Sequence, residues 1–271
     1  MNFSARVIED SIGPHNIRLT TLEATFPRFI LAELNTHRIL SRNSASSRAI
    51  PTSRLIEQVT LHPVVPSIFG SNQRGMASGA EIADARQARI LWMEARDRAI
   101  HAATQLSKLG VHKQWANRVL EPFMWHTAII SATNWSNLLH LRTQDDAQPE
   151  FRTLALKIQD ALGDSRPVKR EPDEWHLPFV SEEERTTLST LTAACVSAAR
   201  CARISYNRPL EYDTAKDIEL SDRLLVSGHM SPFEHPSVCL IVPARWGNYV
   251  GWKQYRKLIP HEEDPLGSRD E

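Results

Sequence analysis

The sequence predicts an α+β fold that is rich in helix and contains a small mixed or antiparallel sheet. Residues 17–26 alternate in side-chain character, which is typical of a strand with one buried face. Most of the remaining chain has helical periodicity, and its few strands do not alternate regularly with helices. No glycine-rich turn follows the first strand, which disfavours a doubly wound nucleotide-binding fold.

The first half of the chain is predicted to form one strand and several helices. After the strand at 17–26, we expect a short amphipathic helix over 29–38 and a polar stretch over 41–47. Residues 60–80 hold three glycines and two prolines and are predicted to be irregular. A long helix over 81–109 ends at Gly110. Its predicted inner face comprises Ile82, Ala85, Ile90, Met93, Ile100 and Leu106.

The second half is predicted to be mainly helical. Helices are expected over 112–123, 134–141, 149–162, 181–202, 213–227 and 245–258, and a strand over 238–242. Pro149 suits the first turn of its helix, and the Ser181 to Glu184 spacing is that of a capping box. Gly228 is expected to end the helix that begins near Asp213.

The composition is balanced and excludes several classes of protein. The 271 residues include 32 basic and 32 acidic side chains, so a protein that coats DNA nonspecifically is disfavoured. We expect one domain over 1–260 and a charged, disordered tail over 261–271. The sequence has neither a membrane-length apolar run nor the pattern of a secretion signal. We therefore expect a cytoplasmic protein, in the host cytoplasm if it is viral.

Three cysteines, Cys195, Cys201 and Cys239, form no C-x-x-C pair. This odd number favours a reducing compartment and disfavours both a disulfide framework and a structural zinc site. Each cysteine lies in an apolar or helical stretch, where burial is the simplest interpretation.

The densest polar cluster covers residues 36–48 and holds three arginines, four serines, a histidine and an asparagine. Guanidinium and hydroxyl groups near a helix end suit an anionic phosphate ligand. A solvated loop capped by serines is the alternative. A second cluster, over 137–152, places Asn137 and Leu141 on one helix face and Arg142 at the helix end. By itself, this pattern indicates a capped helix end rather than a functional site.

A third cluster, over 228–235, holds two histidines and a carboxylate in a turn. The spacing is not H-E-x-x-H, and no third ligand is evident, so we predict no metal site.

Together the three clusters resemble the flavin-dependent thymidylate synthases, the ThyX family. The family pattern R-H-R-x-x-S-x-N-x-x-S-x-R-Y is matched over 36–48, except that Thr36 replaces the first arginine and Ala49 the tyrosine. The pattern N-x-x-x-L-R is matched by Asn137, Leu141 and Arg142. Ser44 and Asp146 are further departures, in place of a glutamate and a histidine.

Three more segments extend the resemblance over most of the chain. The family turn H-x-[S/T]-P-F-E-H is matched over 229–235, and A-R-x-S over 202–205. The helix pattern A-R-x-x-L-P aligns with 117–122 and places its arginine at Arg118. In the usual family member the A-R-x-S and turn segments precede the R-H-R segment, whereas here they follow it. The resemblance thus implies a circularly permuted order, which close chain termini make physically reasonable.

The resemblance implies a thymidylate-synthase-complementing-protein-like fold and methylation of dUMP at C5, with FAD as cofactor and NADPH and methylenetetrahydrofolate as co-substrates. Arg142 would be catalytic, lying against the pyrimidine. Ser46, Arg48 and Arg118 would bind the nucleotide phosphate. The residues implied to bind flavin are His37, Arg38, Ile39, Asn43, Asn137, Leu141, Ser205, His229, Ser231 and Glu234. The family also implies a homotetramer with sites shared between subunits, without a membrane or a stable nucleic-acid partner.

The chemistry of C5 methylation agrees with a flavin route. C5 of uracil is a poor nucleophile, and one solution is attack on C6 by a cysteine thiolate stabilised by cations. The cysteines here lie in stretches that favour burial, so a route in which the cofactor carries the chemistry fits better. Arg142 would then stabilise negative charge on the uracil carbonyl.

Two alternatives stay open. The substitutions at Thr36, Ser44, Ala49 and Asp146 are consistent with a flavoenzyme of the same fold that modifies another deoxyuridine substrate or installs another C5 group, as in modified DNA bases. A noncatalytic nucleotide- or nucleic-acid-binding protein is the more remote alternative, because it would require a basic face with stacking aromatic residues.

Overall fold

A computed structural model of the chain describes residues 1–204, 212–260 and 262. Its main sheet has five strands in the order β3-β4-β2-β1-β5, of which β1 and β5 pair in parallel and the others antiparallel. The strands are β1 (Ser4–Ile12), β2 (Arg18–Pro27), β3 (Ser41–Ser44), β4 (Trp125–Ala132) and β5 (Val168–Lys169). The predicted strand at 17–26 is therefore confirmed as the central strand β2, and the sheet is mixed.

Helices make up most of the remaining structure and confirm the α+β class. They are α1 (Leu31–Asn35), α2 (Thr52–Leu61), α3 (Ala85–Lys108), α4 (Lys113–Ala116), α5 (Ser136–Arg142), α6 (Pro149–Asp164), α7 (Glu182–Thr187), α8 (Thr190–Arg203) and α9 (Thr214–Val226). Short 3-10 helices cover Pro14–Asn16, Arg28–Ile30, Asn117–Phe123, Ser231–Glu234 and Tyr255–Leu258.

The largest apolar core lies between the sheet and α6. Leu22, Ala24 and Phe26 alternate along β2 and project from one face of the sheet, where they are fully buried. Phe151 and Ile158 of α6 cover them. The alternation of apolar side chains that predicted the strand therefore corresponds to the burial of one face of β2 against α6.

Several helix ends are confirmed as predicted. Pro149 is the first residue of α6, and Ser181 and Glu184 form a capping box at α7. Gly110 and Gly228 follow α3 and α9 with φ angles of 79° and 70°, in the left-handed region that glycine adopts without strain.

The predicted helix over 181–202 is wrong in one respect, because it is two helices. Ser189 separates α7 from α8, and its hydroxyl accepts a hydrogen bond from the Thr192 amide at the start of α8. The predicted inner face of α3 is also partly wrong. Ile100 does pack on the core, but Ile90 is 41% exposed, and Ile82 precedes the helix.

The predicted helix over 245–258 is wrong. This segment forms β8 (Arg245–Trp246), β9 (Tyr249–Val250) and β10 (Trp252–Gln254) before the last 3-10 helix. Gly247 and Gly251 have φ angles of 60° and 73°, which an α-helix does not contain, and the aromatic and β-branched residues between them favour strands. β10 joins β7 (Ser237–Cys239) and β6 (Trp175–His176) in a three-stranded sheet of order β10-β7-β6.

The sequence did not predict β1, β4 or α2, and the stretch at 41–47, expected to be a polar loop, forms the edge strand β3 in part. The expected extent of one domain over 1–260 stays a prediction, and the expected tail lies outside the described residues except for Glu262. None of the helices described is both long and apolar enough to cross a membrane.

Candidate functional site

The first group of predicted residues is held together by direct contacts. Arg142 Nε, at the end of α5, donates to His37 Nε2 at 3.0 Å. Because a guanidinium can only donate, His37 Nε2 is the acceptor in this hydrogen bond. The other ring nitrogen of His37, Nδ1, therefore carries the proton and donates to Asn137 Oδ1 at 3.3 Å. Burial, and then the Arg142 charge, lower the pKa of His37 below its ordinary value, which keeps the imidazole neutral.

Phe151 also holds the Arg142 side chain in place. The guanidinium carbon lies 4.6 Å from the centroid of the Phe151 ring, and the His37 ring meets the same ring edge-on. The terminal nitrogens of Arg142 make no hydrogen bond or ion pair within the described part of the chain. Arg142 therefore presents a positioned pair of donors that is available to an anionic or carbonyl oxygen.

Exposed residues predicted to bind flavin surround this group. Arg38 is exposed, and Ile39 and Leu141 are 38% and 47% exposed although they are apolar. The set thus combines a cation with open apolar surface.

The second group lies beyond the end of β3, where Ser46 and Arg48 flank Ser47. Asn117 Nδ2 donates to the backbone oxygen of Ser47 at 2.7 Å and so holds this loop against the helix that carries Arg118. Arg118 is half exposed, and Arg48 is exposed. Ser46 and Arg48 therefore lie on a loop beside Arg118.

The sequence interpretation missed Glu121 in this group. Glu121 Oε1 accepts from Ser47 Oγ at 2.7 Å and from Arg118 at 3.0 Å, and a third donor, Arg28, lies 3.5 Å away. Glu121 occupies the leucine position of the A-R-x-x-L-P pattern, a departure that was the available signal.

A buried histidine supports Arg28 at the same place. Arg28 donates to His126 Nδ1 at 3.0 Å. Burial, followed by the Arg28 charge, lowers the pKa of His126 to about 3. His126 is therefore neutral and accepts this hydrogen bond.

The third group is the Ser231–Glu234 turn, which packs beside β3. Gln254 anchors it, because its Nε2 donates to Ser41 Oγ at 2.9 Å and to the Glu234 backbone oxygen at 3.2 Å. Asn43 is buried and, two residues along the strand, projects from the same face as Ser41.

The side chains of the turn itself differ in how they are held. Ser231 and His229 are exposed, and His229 Nδ1 lies 2.8 Å from Ser227 Oγ. The Glu234 carboxylate forms an ion pair with Arg256 at 2.7 Å. Glu234 therefore has a structural partner, whereas Ser231 and His229 are accessible.

The turn continues into a buried chain of hydrogen bonds. His235 Nδ1 lies 2.7 Å from Ser131 Oγ, and Ser131 bonds in turn to Thr21, which reaches His176 Nε2 at 2.8 Å. Burial lowers the pKa of His235 to about 3, so this histidine is a neutral structural group. Neither it nor His176 belongs to a metal cluster, since the described residues contain no group of three or more potential ligands.

The three groups thus surround the edge strand β3. Arg42 projects toward the first group and donates to the His37 backbone oxygen at 3.0 Å, whereas Ser41 and Asn43 face the third group. Within the described chain, no hydrogen bond or ion pair directly joins predicted site residues of different groups. Ser205, also predicted to bind flavin, lies outside the described residues.

Cys201 and Cys239 contribute no activated thiolate to these groups. Burial raises the pKa of the Cys239 thiol to about 11 and that of Cys201 still further above its ordinary value. Cys195 lies 3.3 Å from the Tyr255 hydroxyl. A cavity of about 460 Å³ beside Phe179, Arg200 and Ile204 contains none of the predicted site residues among its described lining.

Comparison with known proteins agrees with the motif analysis. The family model described as thymidylate synthase complementing protein matches residues 14–168, which include the first two groups. The segments at 202–205 and 229–235 lie outside this range, so the permuted order stays a prediction. No curated protein matches the chain.

Two solved structures illustrate the similarity. The UMP/dUMP methylase PolB from Streptomyces cacaoi, bound with 5-Br dUMP, is 16% identical, with a TM-score of 0.48 over 60% of this chain and 90% of that chain. The flavin-dependent thymidylate synthase ThyX from Helicobacter pylori, complexed with FAD and dUMP, is 24% identical, with a TM-score of 0.37 over 53% and 67% of the two chains.

Proposed function

Because the chain belongs to the thymidylate synthase complementing protein family, the flavin-dependent thymidylate synthases, and is therefore an enzyme, we propose that it methylates dUMP at C5 to give thymidylate. The observation that carries the proposal is the position of Arg142, which is fixed by His37 and Phe151 while its terminal nitrogens point to no partner in the described chain. FAD, NADPH and methylenetetrahydrofolate complete the proposed reaction.

The donor set fits FAD. Arg38, His229 and Ser231 are exposed cationic and polar groups that suit a diphosphate, and Ile39 and Leu141 offer apolar surface to a ring system. When bound, FAD supplies the redox and one-carbon transfer chemistry. The chain's own residues bind and orient the reactants.

Arg142 acts on the pyrimidine. Negative charge develops on the uracil carbonyl as C5 reacts, and a guanidinium already held in place stabilises it without reorganisation. The neutral His37 contributes by accepting from Arg142 Nε, which aims the two terminal nitrogens outward. His37 is thus a positioning residue for Arg142 as well as a proposed neighbour of the flavin.

Ser46, Arg48 and Arg118 bind the nucleotide phosphate. Hydroxyl and guanidinium donors suit the phosphate oxygens, and the exposure of the two arginines leaves them accessible. A phosphate contact of this kind contributes similarly to the ground and transition states, so it acts mainly on affinity.

The complete site forms between copies of the chain in a homotetramer. The exposed surface of α3 supports this proposal. The structure describes every residue of this helix, and Ala103 is the one that is buried. Ile90 and Leu91 of α3 are 41% and 54% exposed, and nearby Trp115 is 63% exposed. Apolar side chains exposed in this number suit an interface between subunits.

A second candidate is a flavoenzyme of the same fold that modifies another deoxyuridine substrate or installs another C5 group. Thr36 favours it, since its hydroxyl donates to the Glu33 backbone oxygen at 2.7 Å and offers no cation where the family pattern has arginine. The two candidates share the site and differ in the acceptor or the group transferred.

The decisive experiment incubates the purified protein with FAD, NADPH, methylenetetrahydrofolate and dUMP and analyses the nucleotide by mass spectrometry. A gain of one methyl group that Arg142→Ala abolishes and Arg166→Ala preserves supports thymidylate synthesis, because Arg166 is an exposed arginine outside all three groups. A different mass gain, or reaction only with another deoxyuridine compound, supports the second candidate. A protein that binds no flavin in titration contradicts both.

A further inference from the structure

Glu121 places a carboxylate among the donors proposed to bind phosphate. Its Oε1 atom accepts from Ser47 Oγ at 2.7 Å and from Arg118 at 3.0 Å, with Arg28 at 3.5 Å. The Glu121 side chain is 21% exposed, so it reaches the surface beside Arg118. Neither the proposed chemistry nor the proposed phosphate contacts use this carboxylate.

The convergence of three donors on one oxygen resembles their arrangement around a phosphate oxygen. Ser47 lies between Ser46 and Arg48, so Glu121 sits inside the proposed phosphate group rather than beside it. Charge-assisted hydrogen bonds from hydroxyl and guanidinium groups are also the contacts that a phosphate would make.

A purely structural role as the counter-ion of Arg28 explains the contacts less well. Arg28 is largely buried, but its 3.5 Å separation from Glu121 is the longest of the three, and its shorter hydrogen bond goes to His126. The shorter contacts of Glu121 go to Ser47 and to the half-exposed Arg118. The carboxylate therefore engages Arg118, one of the proposed phosphate donors, and is held in place by the buried Ser47 hydroxyl.

Building on the proposed function, we propose that Glu121 is an internal anion that competes with the substrate phosphate for Arg118 and thereby sets the selectivity for nucleotide over nucleoside. Two anions cannot share the same donors without repulsion, so a phosphate must displace the carboxylate or bind against its charge. Glu121 thus weakens phosphate binding and leaves contacts to the base unchanged.

The test measures ligand binding without turnover. Calorimetric titration of the FAD-loaded protein, without reductant or folate, compares dUMP, inorganic phosphate and deoxyuridine. Glu121→Gln removes the charge while keeping the shape, and Glu121→Leu removes both the charge and the hydrogen bonds. Glu23→Gln is the matched control, because Glu23 is 26% exposed and pairs with Arg6 on the sheet.

Both Glu121 variants are expected to bind dUMP about tenfold more tightly than wild type, as for a gained charge-assisted hydrogen bond. Inorganic phosphate should also bind more tightly, whereas deoxyuridine affinity and the Glu23→Gln variant should be unchanged. Equal or weaker binding of dUMP and phosphate by Glu121→Gln, folded by circular dichroism, overturns the inference, since Glu121 would then orient the donors. Tighter phosphate binding without any methylation of dUMP would support the inference and contradict the proposed function instead.

Discussion

Arg142 and His37 lie 105 positions apart in the sequence, yet their contact determines what each can do. Burial, and then the Arg142 charge, lower the pKa of His37 and keep it neutral, so that it accepts a hydrogen bond from Arg142 Nε, and the packing on Phe151 keeps the guanidinium plane in place. A lysine at position 142 would keep the charge but lose the planar pair of donors and the fixed orientation.

We therefore expect Arg142→Lys to lower kcat by roughly 10- to 100-fold, the equivalent of a lost hydrogen bond to a charged group of ~1.5–3 kcal/mol, with a smaller change in the KM for dUMP. Arg48→Ala should instead raise KM and leave kcat nearly unchanged. Steady-state kinetics with mass detection of the product measure both. If Arg142→Lys were silent while Arg48→Ala abolished the chemical step, the two assignments would be reversed.

Buried neutral histidines make stability depend on pH. The pKa of His126 is about 3 in the folded protein and near 6.5 in the unfolded chain, so between these values the unfolded chain binds the extra proton. Its contribution to stability is therefore present above about pH 6.5 and is lost as the pH falls toward 3. Glu184, whose pKa is lowered to about 2, stays ionised in the folded protein throughout this window.

We expect the free energy of unfolding to fall between pH 6.5 and 5, with His126 contributing up to about 1.4 kcal/mol per pH unit. His126→Gln should reduce this slope, whereas His101→Gln, which changes an exposed histidine of α3, should not. Urea denaturation at several pH values measures the slopes. Identical slopes in wild type and His126→Gln would contradict the prediction.

At the scale of the elements, one buried arginine connects α7, α8 and α9. Arg200 of α8 is fully buried and contacts both oxygens of Glu184, at 2.5 and 2.7 Å, and Asp217 of α9 at 2.8 Å. Glu184 also completes the capping box of α7. Since Asp217 is fully buried too, these helices depend on a network whose charges all have partners.

Removing the arginine should leave carboxylates buried without sufficient compensation. We expect Arg200→Met to lower the free energy of unfolding by ~3–5 kcal/mol, the usual consequence of breaking a buried ion pair from one side. Arg6→Ala, which removes a largely exposed pair with Glu23, should cost less than about 1 kcal/mol. Chemical denaturation at neutral pH measures both. Similar losses in the two variants would contradict the structural role of Arg200.

At the scale of the whole molecule, we propose that the complete site forms between copies of the chain. Arg142 and Arg118 belong to separate groups around β3, and a shared site lets one copy supply the first group and another copy the second. The exposed apolar residues of α3 provide a surface for this association.

We therefore expect Arg142→Ala and Arg118→Ala, assayed at a dUMP concentration well below the raised KM of Arg118→Ala, each to be nearly inactive alone and to regain activity when combined in one oligomer. Co-expression with two different affinity tags, followed by tandem purification, yields the mixed oligomer for assay. Light scattering should give the mass of a tetramer. A monomeric protein, or a mixed oligomer as inactive as its parents, would show that each copy builds its own site.

Local features of the sequence were sufficient to predict the family, the central strand and most helix ends. These features are local: alternation, caps, glycines after helices and motif spacing all act within a few residues. The capping box at Ser181 and the helix end at Gly228, for example, could be predicted without knowledge of the rest of the chain.

Tertiary structure alone decided how the groups are arranged. The contact of His37 with Arg142, the pairing that puts β3 at the edge of the sheet and the contact of Glu121 with Ser47 all join residues that are far apart in sequence. The segment at 245–258 has helix-like apolar spacing, but its two glycines and its pairing with β7 make it a set of strands. Whether such a segment forms a helix or strands depends on the distant part of the chain against which it packs and hydrogen-bonds. The spacing of apolar residues within the segment carries no information about that distant part.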